Sequence, residues 1–187
     1  MSFSGLLTVL TAVVMVSGTV IIDFSEDDQG SWRIVNDVVM GGRSRSSFTI
    51  SSDSAAVFSG FLSLEDSGGF ASVRRESPRR DLSPFDGLEL RVSGDGRRYQ
   101  VRLWIDDDFD GISYRYEFDT SRDSVMTVRA PFDDFVPTFR GRIVRSARPF
   151  DPSRMSRLGF LIADGREGPF RLEIFSMGAY VSRDDRR

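Results

Sequence analysis

The chain contains no cysteine, no histidine and no lysine, and all 25 of its basic side chains are arginine. Each absence removes a class of chemistry. Without imidazole or thiolate there is no Ser-His-Asp triad, no Cys nucleophile, no zinc finger and no thiolate-held iron-sulfur cluster. Without lysine there is no Schiff base and no P-loop or kinase lysine. Carboxylate, hydroxyl, phenol and guanidinium groups remain. Apart from the terminal amine, none of these titrates at its ordinary value between about pH 5 and about 9.5, so proton shuttling at neutral pH would need a strongly shifted carboxylate. The expectation is a non-catalytic protein with no cofactor and no metal. A glycosidase built on paired carboxylates is the one enzymatic scheme the composition accommodates easily.

Other features narrow the class. A net charge of −3 argues against a nucleic-acid partner, which requires a basic face to displace counterions. With 187 residues, 40% hydrophobic and 12% aromatic, one globular domain able to bury a core without disulfides is expected. The first charged side chain is Asp23, and Leu6–Val16 is an apolar run broken by Thr8 and Thr11. Residues 1–18 therefore read as a secretory signal cut before Thr19, or as a membrane anchor. The cationic segment that usually opens a signal is missing, and a true start at Met15 with a cytoplasmic product is the other reading. The domain is assigned to 19–181, followed by a charged tail, 182–187.

Period-two alternation dominates the domain. Leu88, Leu90 and Val92 alternate with Glu89 and Arg91, and Tyr99, Val101, Leu103 and Ile105 alternate with Gln100, Arg102 and Trp104. The same pattern recurs at Tyr114–Asp119 and Phe170–Ile174. Such runs predict half-buried strands. Turn signals lie between them, at Asp66–Gly69, Ser83–Gly87, Ser93–Gly96, Asp110–Gly111 and Asp164–Gly165. Many short strands without helical stripes predict an all-β antiparallel sandwich. The basic cluster Arg74, Arg75, Arg79, Arg80 and the acidic cluster Asp106, Asp107, Asp108, Asp110 read as solvated loops. The acidic run lacks the spacing of an EF-hand.

Three segments carry candidate binding residues. Trp32 to Ser44 places Asn36 and Asp37, whose short side chains bond nearby backbone, before Met40, Gly41, Gly42 and Ser44. Gly68, Gly69 and Phe70 form a glycine turn delivering a strand, with Phe70 directed at the core and Arg74 at a strand end, where it could receive a carboxylate or phosphate. Pro131 to Arg142 gathers Phe132, Phe135 and Phe139 ahead of Arg140, Gly141 and Arg142. That composition suits either a packed corner or a partner surface.

Taken in order, Trp32–Ser44, Phe58–Arg74, Phe85–Tyr99, Pro131–Gly141 and Leu158–Ile174 closely resemble the complex I intermediate-associated protein family, the thirty-kilodalton assembly factors of NADH:ubiquinone oxidoreductase. The resemblance implies a galactose-binding-domain-like jelly roll. It also implies an assembly chaperone without catalysis, binding complex I subunits or intermediates; membrane association through the prefix is a separate expectation from the apolar run. Matching positions include the residues above together with Asp95, Gly96 and Tyr99. One departure is Val125, where family members usually carry a Trp. If that Trp is a core residue, Val125 merely leaves space; if it is a surface residue, partner binding is affected. The leading expectation is a protein partner gripped at one loop end built from Asn36–Gly42, Gly68–Arg74 and Phe132–Arg140. The alternative is a carbohydrate-binding module using Trp32, Trp104, Asn36 and Asp95.

Overall fold

In the computed structural model, residues 19–22, 24, 31–51, 55–106, 108 and 111–182 are described. The prefix up to residue 18, residues 107, 109 and 110 of the acidic run and the last five residues of the tail lie outside them. The strands in chain order are β1 (Thr19–Ile22), β2 (Trp32–Ile34), β3 (Arg45–Ile50), β4 (Ala56–Leu62), β5 (Ala71–Arg80), β6 (Gly87–Gly94) and β7 (Arg98–Trp104). They continue with β8 (Ser113–Asp119), β9 (Val125–Pro131), β10 (Val136–Phe139), β11 (Arg142–Ile143), β12 (Met155–Ile162) and β13 (Gly168–Tyr180). Helical residues among the described ones occur in short 3-10 turns, at Asp37–Met40, Phe132–Asp134 and Pro152–Arg154.

The strands form two antiparallel sheets. One has the order β3-β4-β13-β6-β9, with β1 also joining β13; the other is β11-β10-β8-β7-β12-β5-β2. Alternate residues from the two inner faces make the core: Phe58, Leu88, Leu90, Val92, Leu172 and Ile174 from the first sheet, and Val73, Tyr99, Val101, Leu103, Phe160 and Ile162 from the second. These are the alternations visible in the sequence, and the architecture is the expected jelly-roll sandwich. Burial of each such side chain contributes about 1.5–3 kcal/mol.

Two local expectations are corrected. β7 is buried on both faces rather than half-buried, as is its neighbour β12. Arg102 and Trp104 point away from the core, yet they are 9% and 2% exposed: the guanidinium groups of Arg74 and Arg157 lie over Trp104, and Arg102 is held by Gln100 and Ser113. The basic cluster is not a loop. Arg74, Arg75, Arg79 and Arg80 lie within β5, whose inner face carries Val73 in the core.

Register defines two ends of the sandwich. Arg45, Leu62, Gly94 and Gly168 mark one end of the first sheet. The 63–70, 95–97 and 163–167 connections lead from there to the Ala71, Arg98 and Ile162 end of the second. Gly87, Pro131 and Tyr180 mark the opposite end, with Trp104, Ser113 and the β10–β11 hairpin.

Candidate functional site

At the first end, β2 runs out into a loop held by two adjacent acceptors. Asn36 Oδ1 accepts from Ser46 Oγ at 2.8 Å and from the Ser72 amide at 3.2 Å. Asp37 is fully buried and accepts from the Ser44 amide (2.9 Å), Ser44 Oγ (2.5 Å), the Gly69 amide (2.8 Å) and the Phe70 amide (3.2 Å). Burial alone would raise its carboxyl pKa; the four donors outweigh that and hold it below the ordinary aspartate value. Asn36 and Asp37 thus bond the neighbouring strand and loop rather than only their own turn. Gly42 is required here, since a Cβ would stand 2.5 Å from the Asp37 carboxyl carbon.

The pinned turn presents apolar side chains to water. Val38, Val39 and Met40 are 61%, 72% and 57% exposed, and no other residue type interrupts them. Beside them lies the 63–70 loop, with Leu64 exposed and the end of β4 contributing exposed Phe61. Arg43 joins the two loops by pairing with Glu65 (3.1 Å) and Asp66 (2.6 Å), a solvent-exposed bridge worth about 0–1 kcal/mol. Ser44 Oγ also receives the Ser63 amide at 3.0 Å, and the Leu64 amide donates to Glu167 at 3.1 Å. The result is an apolar knuckle with a charged border on a preorganised backbone.

A second group at this end went unrecognised in the sequence. Arg97 is almost fully buried and forks onto Asp164 through Nε (3.0 Å) and Nη2 (2.6 Å). It also donates to the carbonyls of Gly168 (3.1 Å), Pro169 (2.9 Å) and Arg166, so all five guanidinium donors are used. Nothing in its surroundings in the sequence distinguishes Arg97 from the exposed Arg98 beside it. Asp95 accepts from the Tyr99 hydroxyl, the Arg97 amide and the Arg171 amide. Burial and the Asp95 carboxylate together raise the pKa of the Tyr99 hydroxyl. Asp95, Arg97, Arg122, Arg166 and Arg171 line an open cleft of about 360 Å³.

The expected single rim is not found. Asn36–Gly42 and Gly68–Phe70 come together, and Asp95 and Gly96 share their end of the sandwich. Phe132, Phe139, Arg140 and Gly141 lie at the opposite end, because β9 and β10 both run toward the Gly87 and Ser113 side. Phe132 is a core residue against Phe135 and Phe150, whereas Phe139 and Arg140 are exposed in a hairpin turn. Arg74 is mid-strand rather than at a strand end, and Phe70 is half-buried. Asp37, Gly42, Ser44 and Tyr99 are buried, so they act as scaffold and not as contact residues. Trp32 packs against Phe48 (4.3 Å between centroids), Phe24 and Phe160 at the core edge. Val125 is 50% exposed, which excludes the core reading of that position. Among the described residues, no group of three or more carboxylates is arranged to hold a metal ion, and no helix is long and apolar enough to cross a membrane.

The family model described as Complex I intermediate-associated protein 30 matches residues 22–174. A mitochondrial complex I intermediate-associated protein 30 of Mus musculus is 31% identical, over 92% of this chain and 59% of its own length. Its Drosophila melanogaster counterpart is 26% identical over 85% and 62%. The chain thus spans about three fifths of the length of these relatives. Among solved structures, a family 11 carbohydrate-binding module of a Clostridium thermocellum cellulosomal cellulase superimposes with TM-score 0.64 at 13% identity, over 92% of this chain and 99% of the module. A family 11 carbohydrate-binding module from Clostridium thermocellum in complex with a β-1,3-1,4-mixed-linked tetrasaccharide gives 0.64 at 14%, over 89% and 97%. At such identities the likeness establishes the sandwich fold alone.

Proposed function

The chain belongs to the complex I intermediate-associated protein 30 family, and from that premise we propose that it is a non-catalytic binding protein acting in assembly of the respiratory complex, with the Val38–Met40 knuckle as the surface that takes a partner protein. The observation that carries this reading is the combination of three consecutive exposed apolar side chains with a backbone locked by the buried Asp37 carboxylate. An exposed apolar group on a soluble domain favours association, and a rigid presenting loop lowers the ordering cost of binding. The names of the mouse and fly relatives supply the partner class: subunits or intermediates of complex I.

Absence of catalysis is part of the proposal. The carboxylate nearest the knuckle is saturated by four donors and kept ionised, which leaves it unsuited to proton transfer near neutral pH. The carbohydrate alternative would use open aromatic rings. Trp104 is 2% exposed beneath the guanidinium groups of Arg74 and Arg157, and Trp32 is engaged by three phenylalanines. The test is affinity capture from cells expressing the tagged chain. Complex I subunits or intermediates should co-purify with the parent protein and be lost from a Val39→Asp, Met40→Asp variant that still folds. Equal capture by the variant would remove the knuckle from the proposal.

A further inference from the structure

The knuckle reading leaves one edge of the sandwich unused. β9 is the outermost strand of the first sheet and pairs with β6 alone, in unbroken register from Pro131 opposite Gly87 to Val125 opposite Ser93. The Phe132 amide donates to the Asp86 carbonyl at 2.9 Å, which sets the phase of the ladder: even residues of β9 bond β6, and odd residues turn their main-chain groups outward. Gly87 agrees with this phase. A Cβ there would stand 2.8 Å from Pro131 Cα, the close approach of two residues that face each other without exchanging hydrogen bonds. The amides and carbonyls of Val125, Thr127 and Arg129 therefore point away from the sheet, and no hydrogen bond reaches them from the described residues.

Proteins usually blunt such edges with short strands, charge, proline or bulges. Three other sheet edges here are blunted or covered: β11 and β2 have two and three residues, and at β3 Ser46 Oγ donates to Asn36 of the adjoining turn. β9 has seven residues and no bulge, and Val125–Val128 carry neither charge nor proline. The edge is also self-complementary. Rotated about a twofold axis at Thr127, it sets Thr127 opposite Thr127 of a second copy, and Val125 opposite Arg129 in both directions. In this phase the outward groups meet as hydrogen-bonded pairs, with about six main-chain bonds. On the inner side Met126, half-buried in one copy, falls opposite the buried Val128 of the other. Arg129 keeps its ion pair with Glu89 (2.8 Å) and faces valine, so no like charges are opposed. The ladder has defined ends, since Pro131 offers no amide and Asp123 turns the chain away with a φ of 55°.

We propose that the chain forms a twofold dimer by antiparallel pairing of β9 with β9 of a second copy, which joins their first sheets into one. Strand addition at an open edge draws its affinity from main-chain bonds and its specificity from the side chains that fall opposite. A second copy is the occupant because it supplies the whole match: a threonine pair on the axis, an apolar pair beneath it and no opposed charge. Such pairing uses the same patch on both copies and closes after two. The Val38–Met40 knuckle adjoins β3, at the other edge of this sheet, so both copies keep it free for a partner protein.

The experiment is sedimentation equilibrium of the full chain from about 1 to about 300 μM. A reversible monomer–dimer equilibrium is expected, with hydrogen exchange slowing at the Val125, Thr127 and Arg129 amides as the dimer fills. Thr127→Lys, at an exposed position, opposes two charges on the axis and should weaken dimerisation at least about tenfold with the thermal midpoint retained. Because the chain has no cysteine, Thr127→Cys under oxidation should give a disulfide-linked dimer, whereas Ser47→Cys, exposed on β3, should not. The Val39→Asp, Met40→Asp variant should dimerise as the parent does. A monomer throughout the range, assembly beyond two copies, a dimer indifferent to Thr127→Lys, equal crosslinking by Ser47→Cys, or loss of the dimer in the knuckle variant would each overturn the proposal.

Discussion

Arg97 and Asp164, separated by 67 positions, close a two-point ion pair in which both side chains are about 5% exposed. The pair ties the β6–β7 connection to the β12–β13 turn. Through Arg166, Gly168 and Pro169 it also fixes the backbone that places Glu167 under the Leu64 amide. The knuckle thus rests on a buried charge staple from a distant part of the chain.

Breaking that staple by one partner should be costlier than removing both. Arg97→Gln leaves Asp164 buried and unpaired, and a loss of about 3–5 kcal/mol is expected in urea unfolding. An Arg97→Met, Asp164→Leu double variant should recover part of it. Equal losses in the single and double variants would contradict a charge-pairing role.

Acid should unfold the protein through Asp37 and Asp164. Desolvation pushes both pKa values up. Hydrogen bonds from Ser44, Gly69 and Phe70 to Asp37, and the bonds and charge of Arg97 at Asp164, bring both below the ordinary aspartate value. A depressed folded value means that the unfolded chain binds protons first. The stabilisation is therefore complete above the unfolded value near 3.9 and is lost as pH falls through the lowered folded values. Replacing Asp37 with Asn should lower stability at pH 7 and flatten the acid limb of the stability curve, as followed by circular dichroism.

Gly42→Ala places a methyl group against the Asp37 carboxyl. Overpacking of this kind costs about 1–3 kcal/mol. The expected readout is a lower thermal midpoint with faster proteolysis at the Val38–Met40 turn. An unchanged midpoint would show that Asp37 can shift without consequence.

Val39→Asp and Met40→Asp change exposed positions and should alter stability by no more than about 0.5 kcal/mol while abolishing partner capture. Phe139→Ala with Arg140→Ala, at the opposite end of the sandwich, should leave capture intact. Parallel capture assays with thermal denaturation distinguish the two ends.

Sequence by itself determined the fold class. Alternation at Leu88–Val92, Tyr99–Leu103 and Phe170–Ile174 assigns the core-facing side chains of these three stretches correctly, because side-chain direction in a strand has period two and needs no tertiary information. It also singled out Asn36–Gly42 and Gly68–Phe70, since paired glycines and short polar side chains mark tight connections. Tertiary structure alone decided the rest. Alternation cannot tell that the outer face of β7 is also buried, because Trp104 is covered by Arg74 and Arg157 from strands remote in sequence. Sheet order alone divides Asn36–Gly42 from Phe139–Arg140, sending them to opposite ends. It also gathers Arg33, Arg74, Arg102 and Arg115 into one row, since hydrogen bonding across five strands brings together positions that no local pattern connects.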